Sequence, residues 1–110
     1  MLEREIEIAL NGLIAKIKES ATYKEYQLQL ARIKEHPEYY RKVNEFRQRN
    51  YELQNAEHTD DLFEKIEAFD KEYEAFRENP LVDDFLRAEL AFCRMIQEIN
   101  PKIMEEVDFE

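Results

Sequence analysis

Apolar residues recur at steps of three and four along almost the whole chain, and this is the spacing of one face of an α-helix. Five segments carry the pattern, and polar or proline-containing breaks separate them. The sequence therefore predicts an all-α protein of about five amphipathic helices that pack as a helical bundle. The segments cover about residues 2–19, 20–36, 37–55, 60–78 and 80–100.

Capping residues and a proline set the limits of the second segment. Ser20 or Thr22 is expected to start this helix, and Thr22 with Glu25 fits a capping box, in which two side chains satisfy free backbone N–H groups. His36-Pro37 is expected to end it, because the residue before a proline disfavours helical backbone angles. The same proline can open the third helix, where its missing N–H costs nothing.

Asn79 and Pro80 mark the start of the fifth helix, since asparagine is a favoured cap and proline a favoured first helical residue. Asn100-Pro101 is expected to end or kink this helix. Apolar residues continue beyond it as far as Phe109. On so acidic a chain, such a tail is expected to pack against the chain's own core or against a second subunit.

The third and fourth segments have similar lengths, and each carries an apolar seam with a period of 3.5 residues. Two such neighbours predict a long antiparallel coiled-coil hairpin over about residues 37–78. Asn50 is the polar member of the first seam, where such a residue usually fixes the register. The two seams consist of Tyr39, Val43, Phe46, Asn50 and Leu53, and of Leu62, Ile66, Phe69, Tyr73 and Phe76.

Charge is spread unevenly along the 110 residues, which are enough for a single domain over 1–110. The net charge is −10, but residues 1–55 carry +1 and residues 56–110 carry −11. An acidic chain is repelled by nucleic acid and by anionic lipid. Because there is no long apolar run and no basic, apolar leader, we expect a cytoplasmic protein that does not insert into membranes.

Few residues are of the types that catalysis or metal binding requires. The single cysteine, Cys93, lies on the apolar face of the fifth helix and is expected to be a small buried thiol. A metal or cluster ligand shared by several subunits is the alternative for this residue. Neighbouring carboxylates such as Asp83-Asp84 are expected to be helix-start charges and not a catalytic pair. We therefore expect no enzymatic activity and no cofactor.

Glu89 breaks the apolar pattern of the fifth helix. At about 100° per residue it lies roughly 40° from Phe85, in the middle of the apolar face. A buried carboxylate is costly unless it is hydrogen-bonded or paired, so it needs a partner such as the hydroxyl of Tyr23 or Tyr26, or an arginine. We expect a structural carboxylate that ties helices together. A role in recognising a ligand or partner is the alternative.

Residues 32–49 form a basic stretch with six basic and three acidic residues, and Tyr39 and Tyr40 are interleaved with them. Basic and aromatic residues together are typical of contacts with single-stranded RNA. An RNA-contacting accessory protein that uses this face is therefore the alternative function. A solvated face that meets the acidic fourth and fifth helices is the simpler interpretation, and it makes nucleic acid the less favoured partner.

The most specific motif is the run Asn79-Pro80-Leu81-Val82, followed downstream by Ala88-Glu89. With these residues the sequence resembles the YlbF/YmcA (Com_YlbF) family of small helical bacterial regulators, and the resemblance covers nearly the whole chain. Its other carriers are Ser20, Tyr23 and Tyr26 after the opening helix, the His36-Pro37 break, Phe46, Phe85-Leu86 and the closing segment 99–109.

The resemblance implies an all-α, oligomer-forming cytoplasmic protein without catalytic activity. It implies a regulatory partner in sporulation, competence and biofilm development, with a link to RNA turnover through the endoribonuclease RNase Y. Some members of the family belong to a three-protein complex that carries iron–sulfur clusters. This chain has only Cys93, so cluster binding is not expected here.

We expect a non-enzymatic regulatory or adaptor protein that acts through protein–protein contacts. Its expected partners are a second copy of itself, in a homodimer or higher oligomer, and a cytoplasmic regulatory protein or ribonuclease. The candidates for structural or partner-recognition roles are Glu89, Asn79, Pro80, Tyr23, Tyr26 and Asn50.

Overall fold

A computed structural model describes residues 1–56 and 61–107, and within these ranges the chain folds into five α-helices without a strand. The predicted all-α fold is therefore confirmed. The helices are α1 (Arg4–Glu19), α2 (Ala21–Lys34), α3 (Pro37–Gln54), α4 (Leu62–Arg77) and α5 (Pro80–Glu106).

Ser20 separates α1 from α2 and caps the second helix. Its Oγ accepts a hydrogen bond from the backbone N–H of Tyr23 at 3.1 Å, which satisfies one of the free donors of the first turn. The predicted start near Ser20 is confirmed, but the capping box at Thr22 is wrong because Thr22 lies inside the first turn. Glu25 instead accepts a hydrogen bond from Nε2 of Gln29 at 2.8 Å.

α5 continues through Pro101, so Asn100-Pro101 does not end it. The helical hydrogen bonds resume after the proline, as in the 3.0 Å bond from the N–H of Val107 to the carbonyl of Ile103. Ile103 and Val107 of the predicted apolar tail are exposed. The described part of the tail therefore does not pack against the chain's own core, and Phe109 lies outside the described residues.

The core lies where α2, α3 and α5 meet. One residue of α2, one of α3 and two of α5 form a cluster that is almost completely buried, and it consists of Ile33, Val43, Val82 and Phe85. Near the other end of α2, Tyr23 packs on Phe92 with 5.4 Å between the ring centroids. Since the start of α2 lies beside the middle of α5 and its end beside the start of α5, the two helices run antiparallel.

An aromatic cluster around Phe46 attaches α4 to α3. The ring of Phe46 lies 5.5 Å from that of Phe69, 5.4 Å from that of Tyr73 and 5.2 Å from that of Phe76, measured between centroids. Such ring pairs add stabilisation beyond the area that they bury. Phe46 and Phe69 are both buried.

The long coiled-coil hairpin is not confirmed, because the predicted seam is not closed along its length. Leu53 and Leu62 line an open cavity of about 490 Å³ between α3 and α4, and Ile66 remains 37% exposed. Asn50 is also exposed and does not lie between packed helices. α3 and α4 are therefore in contact mainly through the aromatic rings around Phe46. In a regular coiled coil the contacts would be spread evenly along both helices.

The molecule is open for its size. Its radius of gyration is 18.6 Å, whereas a compact chain of this length has a radius of about 13 Å. Its accessible surface is 9036 Å², whereas a compact monomer of this mass exposes about 6,500 Å². α1 contributes to this open shape, because it packs mainly against α2 and buries none of its residues.

Candidate functional site

The turn at Asn79 and Pro80 fixes how α4 leads into α5. Oδ1 of Asn79 accepts a hydrogen bond from the backbone N–H of Leu81 at 3.0 Å, and Pro80 is the first residue of the helix. Asn79 therefore caps α5 and Pro80 begins it, as the sequence predicts. The turn directs the first residues of α5 back along the end of α4.

Asp83 reinforces this turn through two arginines. It accepts hydrogen bonds from Nε of Arg77 at 3.2 Å and from Nε of Arg87 at 2.7 Å. The bond from Arg77 is the main cause that lowers the pKa of Asp83 below its usual range, and the bond from Arg87 adds to it against the effect of partial burial. Arg77 thus joins the last turn of α4 to the first turn of α5.

Glu89 is paired with an arginine, one of the partners that the sequence left open. Nη2 of Arg47 on α3 donates hydrogen bonds to both carboxylate oxygens of Glu89 on α5. The side chain of Glu89 is 23% exposed and that of Arg47 is 46% exposed, so the pair lies at the edge of the core. The guanidinium of Arg47 also lies over the ring of Phe85, 5.9 Å from its centroid.

Tyr23 and Tyr26 lie on the side of α2 that faces α5. Tyr26 stacks on Phe92 with 5.2 Å between ring centroids and packs on Phe85 at 6.2 Å. Burial of the hydroxyl raises the pKa of Tyr26, and the negative charge of Glu89 raises it further. In the described residues, neither tyrosine is hydrogen-bonded to Glu89, so they serve as aromatic contacts between helices.

Two adjoining cavities follow the gap between α4 and α5. The first, of about 320 Å³, lies where α3, α4 and α5 meet, and the second, of about 230 Å³, continues along α5 to Cys93. Both are bordered by Tyr73, Leu86 and Glu89. Asn50 lines the first cavity, so Asn50 and Glu89, two of the predicted candidates, border the same open space.

Cys93 is exposed, so the prediction of a buried thiol is wrong. The apolar face of α5 is covered by α2 at Phe85 and Phe92, but Cys93 lies on the flank that faces the gap towards α4. It lines the smaller cavity together with Leu90 and Arg77. In the described ranges, no group of three or more histidine, cysteine or acidic side chains is arranged to hold a metal ion.

The basic stretch 32–49 is largely engaged within the chain. Arg47 pairs with Glu89, and Nη1 of Arg49 donates to Glu72 on α4 at 2.9 Å. Nζ of Lys42 lies over the ring of Phe76, 5.2 Å from its centroid. The stretch does meet the acidic fourth and fifth helices, and few of its cations are left for phosphate groups. RNA contact stays a prediction with little support from this geometry.

The sequence did not identify Arg47 or Arg77 as functional partners. Arg47 is 42 residues from Glu89, and nothing local distinguishes it from the other cations of the basic stretch. A local signal for Arg77 did exist, because it lies six residues from Asp83 across a turn that the sequence predicted.

No helix of the described chain is both long and apolar enough to cross a bilayer.

Comparison with known proteins supplies a family and nothing more specific. Neither the curated proteins nor the solved structures contain a match to this chain. A family model does match residues 6–108, which is nearly the whole chain and includes the Asn79-Pro80 turn, Arg47 and Glu89. The chain therefore belongs to the Com_YlbF family, described as control of competence regulator ComK, YlbF/YmcA.

Proposed function

We propose that this protein is a non-enzymatic regulatory adaptor in the control of competence, and that it works as a self-associated assembly. The observation that carries the proposal is its surface: the chain exposes 9036 Å², about 2,500 Å² more than a compact monomer of its mass. Obligate homodimers bury roughly 1,000–2,500 Å² on each subunit. The excess is thus of the size that one permanent interface removes.

Two helices, α1 and α5, expose long apolar stripes. The apolar stripe of α1 is exposed from Ile6 to Ile14, with Ile6 at 54% and Leu13 at 38%. The apolar face of α5 is covered by α2 at Phe92 but continues uncovered, with Ile96 at 41% and Ile103 at 49%. A helix of 16 residues gains little stability from propensity alone, so the stripe of α1 needs a surface to pack on.

A second copy of the chain is the occupant that charge favours. Residues 1–55 carry a net charge of +1 and residues 56–110 carry −11, so two copies repel each other mainly through their C-terminal halves. α1 has three basic and three acidic residues and is neutral, and residues 94–107 carry a net charge of only −1. Two copies can therefore approach each other along α1 and the second half of α5 with little repulsion.

The carboxylates with unusual surroundings support an adaptor and not an enzyme. Glu89 is neutralised by Arg47, and Asp83 is held by Arg77 and Arg87. Both therefore act as ion-pair partners that fix helices. On the resemblance to the family, we extend the proposal to sporulation, to biofilm formation and to RNA turnover, with a ribonuclease such as RNase Y among the partners.

Sedimentation equilibrium at tens of micromolar tests the assembly. We expect a dimer or a higher oligomer for the wild-type chain, and a monomer for the double variant Ile6→Lys/Leu13→Lys. Gly12→Ala is the matched control on the same helix, because a Cβ at Gly12 meets nothing within 4 Å, so it should leave the oligomer intact. A wild-type chain that is strictly monomeric at this concentration would contradict the proposal.

The regulatory role is tested in a competent bacterial host whose own copy is replaced. Cells that carry Ile6→Lys/Leu13→Lys should lose transformation frequency, whereas cells that carry Gly12→Ala should match the wild type. Equal protein abundance in the two strains, measured by immunoblot, excludes simple degradation as the cause. Normal competence in cells that carry the monomeric variant would show that assembly is not needed for regulation.

A further inference from the structure

We propose that the gap between α4 and α5 binds a basic amphipathic helix of a partner protein. This inference rests on the proposed adaptor function and concerns a surface that lies apart from the apolar faces of α1 and the second half of α5. We call it the α4–α5 groove. It is lined by Asp70, Tyr73 and Arg77 of α4 and by Leu86, Glu89, Leu90 and Cys93 of α5.

The shape of the groove suits a helix. Its two cavities, of about 320 and 230 Å³, adjoin at Tyr73, Leu86 and Glu89. A third, shallow depression begins at Arg77 and reaches Pro80 at the turn. From Asp70 to the C-cap residue Glu78 the wall formed by α4 is about 12 Å long at 1.5 Å per residue, which corresponds to about two turns of an incoming helix.

The floor of the groove provides the apolar contact. Tyr73 and Leu86 are half-buried, and Leu90 is 45% exposed. An amphipathic helix that lays its apolar face into a groove uses side chains at steps of three and four, and these three residues offer it a matching strip. A purely polar ligand would leave this strip in water.

The rim selects a basic partner. Asp70 and Glu74 of α4 and Glu78 at its C-cap follow one another at four-residue spacing, and none of their carboxylates has an ion-pair or hydrogen-bond partner in the described chain. Like charges at this spacing weaken a helix slightly, so a partner that supplies cations at the same spacing stabilises both helices. The two arginines that border the cavities do not cancel this charge, because Arg47 is paired with Glu89 and Arg77 shares Asp83 with Arg87.

Charge also argues against other occupants. Residues 62–93 hold nine acidic and four basic residues, a net of −5, which repels nucleic acid and anionic lipid. Within the described residues, a second copy offers no free basic amphipathic helix: α1 is neutral, and the cations of α3 are engaged with Glu72, Glu89 and aromatic rings. α2 carries a net charge of +2, but its Tyr23 and Tyr26 are already packed against α5. A basic helix from a different protein therefore fits the groove best.

The probe for this proposal is a fluorescently labelled synthetic helix of about 18 leucines and lysines, with the leucines at steps of three and four. A peptide of the same pattern with glutamate in place of lysine is the control. We expect the lysine peptide to bind the wild-type chain in fluorescence anisotropy, with an affinity that falls as salt is added. The glutamate peptide should not bind.

Two matched pairs of variants locate the binding. Asp70→Asn/Glu74→Gln/Glu78→Gln should weaken binding about fivefold to tenfold, as expected for the loss of three exposed ion pairs. The control Glu45→Gln/Glu64→Gln/Glu98→Gln makes the same charge change at carboxylates that line none of the cavities, and it should stay within about twofold.

The second pair tests the floor. Leu90→Arg should abolish binding, because it places a cation in the groove, whereas Leu28→Arg, at a residue of α2 that is 54% exposed, should not. Equal losses in both triple variants, or no binding of the lysine peptide at all, would overturn the proposal. If the wild-type chain is oligomeric but does not bind the peptide, the groove inference fails and the assembly proposal stands. If the chain is monomeric but binds the peptide, the assembly proposal fails and the groove inference stands.

Discussion

Arg47 and Glu89 join α3 to α5 through an ion pair between residues that are 42 positions apart in the sequence. The pair lies at the edge of the core, with the Phe85 ring on one side and the cavity between α3, α4 and α5 on the other. It therefore lies where the two cavities of the α4–α5 groove adjoin, and it neutralises a carboxylate on the apolar face of α5. Its position makes it both a structural link and a boundary of the candidate site.

Glu89→Gln should lower the free energy of unfolding by about 1–2 kcal/mol. Removing one partner of a fully buried ion pair costs more stability than this, and removing one partner of an exposed pair costs less. The Arg47–Glu89 pair is partly buried, so we expect an intermediate loss. The measurement is urea denaturation at one fixed protein concentration, because self-association changes the apparent stability. Glu98→Gln on the same helix is the control, and an unchanged midpoint for Glu89→Gln would show that the pair is not structural.

The sequence predicted the helices and most of their limits because those signals are local. Ser20 and Asn79 are caps that act within three residues, and Pro37 and Pro80 begin helices at their own positions. The periodicity of apolar residues identified each helix without any knowledge of its neighbours. Pro101 was expected to end or kink α5, but it does not end the helix, because a proline near the end of a long helix removes only one hydrogen bond.

The packing between helices could not be predicted in the same way. The seam residues of α3 and α4 have coiled-coil spacing, but spacing alone does not show that Phe46 collects three aromatic partners while Leu53 and Leu62 border an open cavity. Cys93 has the helical position of a core residue, yet its flank of α5 is uncovered. Which arginine pairs with Glu89 depends on how α3 and α5 meet, and no local signal contains that information.

Asn79→Ala should destabilise the protein by about 1 kcal/mol, because it removes the side chain that caps α5. The side chain satisfies the N–H of Leu81, and alanine leaves that donor without a partner in the first turn of α5. Asn79→Asp is the matched control, because an aspartate accepts the same hydrogen bond and its charge suits a helix N-terminus. Thermal denaturation followed by circular dichroism measures both, and equal losses in the two variants would exclude capping as the cause.

Phe46→Ala should cost about 3–5 kcal/mol, the usual loss when a buried phenylalanine is removed from a core. Phe46 is 3% exposed and contacts three rings of α4, so its removal should also loosen α4 from α3. Hydrogen exchange should therefore increase most in α4. Phe63→Ala is the control, since Phe63 is 76% exposed, and a loss comparable to that of Phe46→Ala would mean that Phe63 is covered in the assembly.

The stability of the turn at Asn79 and Pro80 should fall at acidic pH. Arg77, with Arg87, lowers the pKa of Asp83 in the folded chain relative to the unfolded chain. A carboxyl with a depressed folded pKa stabilises the fold above its unfolded pKa, and this stabilisation is lost as the pH falls through the folded pKa. Urea midpoints between about pH 6 and pH 3 should therefore fall less steeply in Asp83→Asn than in the wild type. Parallel curves would contradict this role of Asp83.

The stability of the contact between α2 and α5 should fall at alkaline pH. Burial, together with the charge of Glu89, raises the pKa of Tyr26 in the folded chain. A phenol with a raised folded pKa leaves stability intact below its unfolded pKa, and stability is then lost as the pH rises through the folded value. Tyr26→Phe should therefore be less sensitive to alkali than the wild type, whereas Tyr51→Phe, at a tyrosine that is 63% exposed, should behave as the wild type. If Tyr26→Phe unfolds in alkali as readily as the wild-type chain, the hydroxyl of Tyr26 does not set the alkaline limit of the fold.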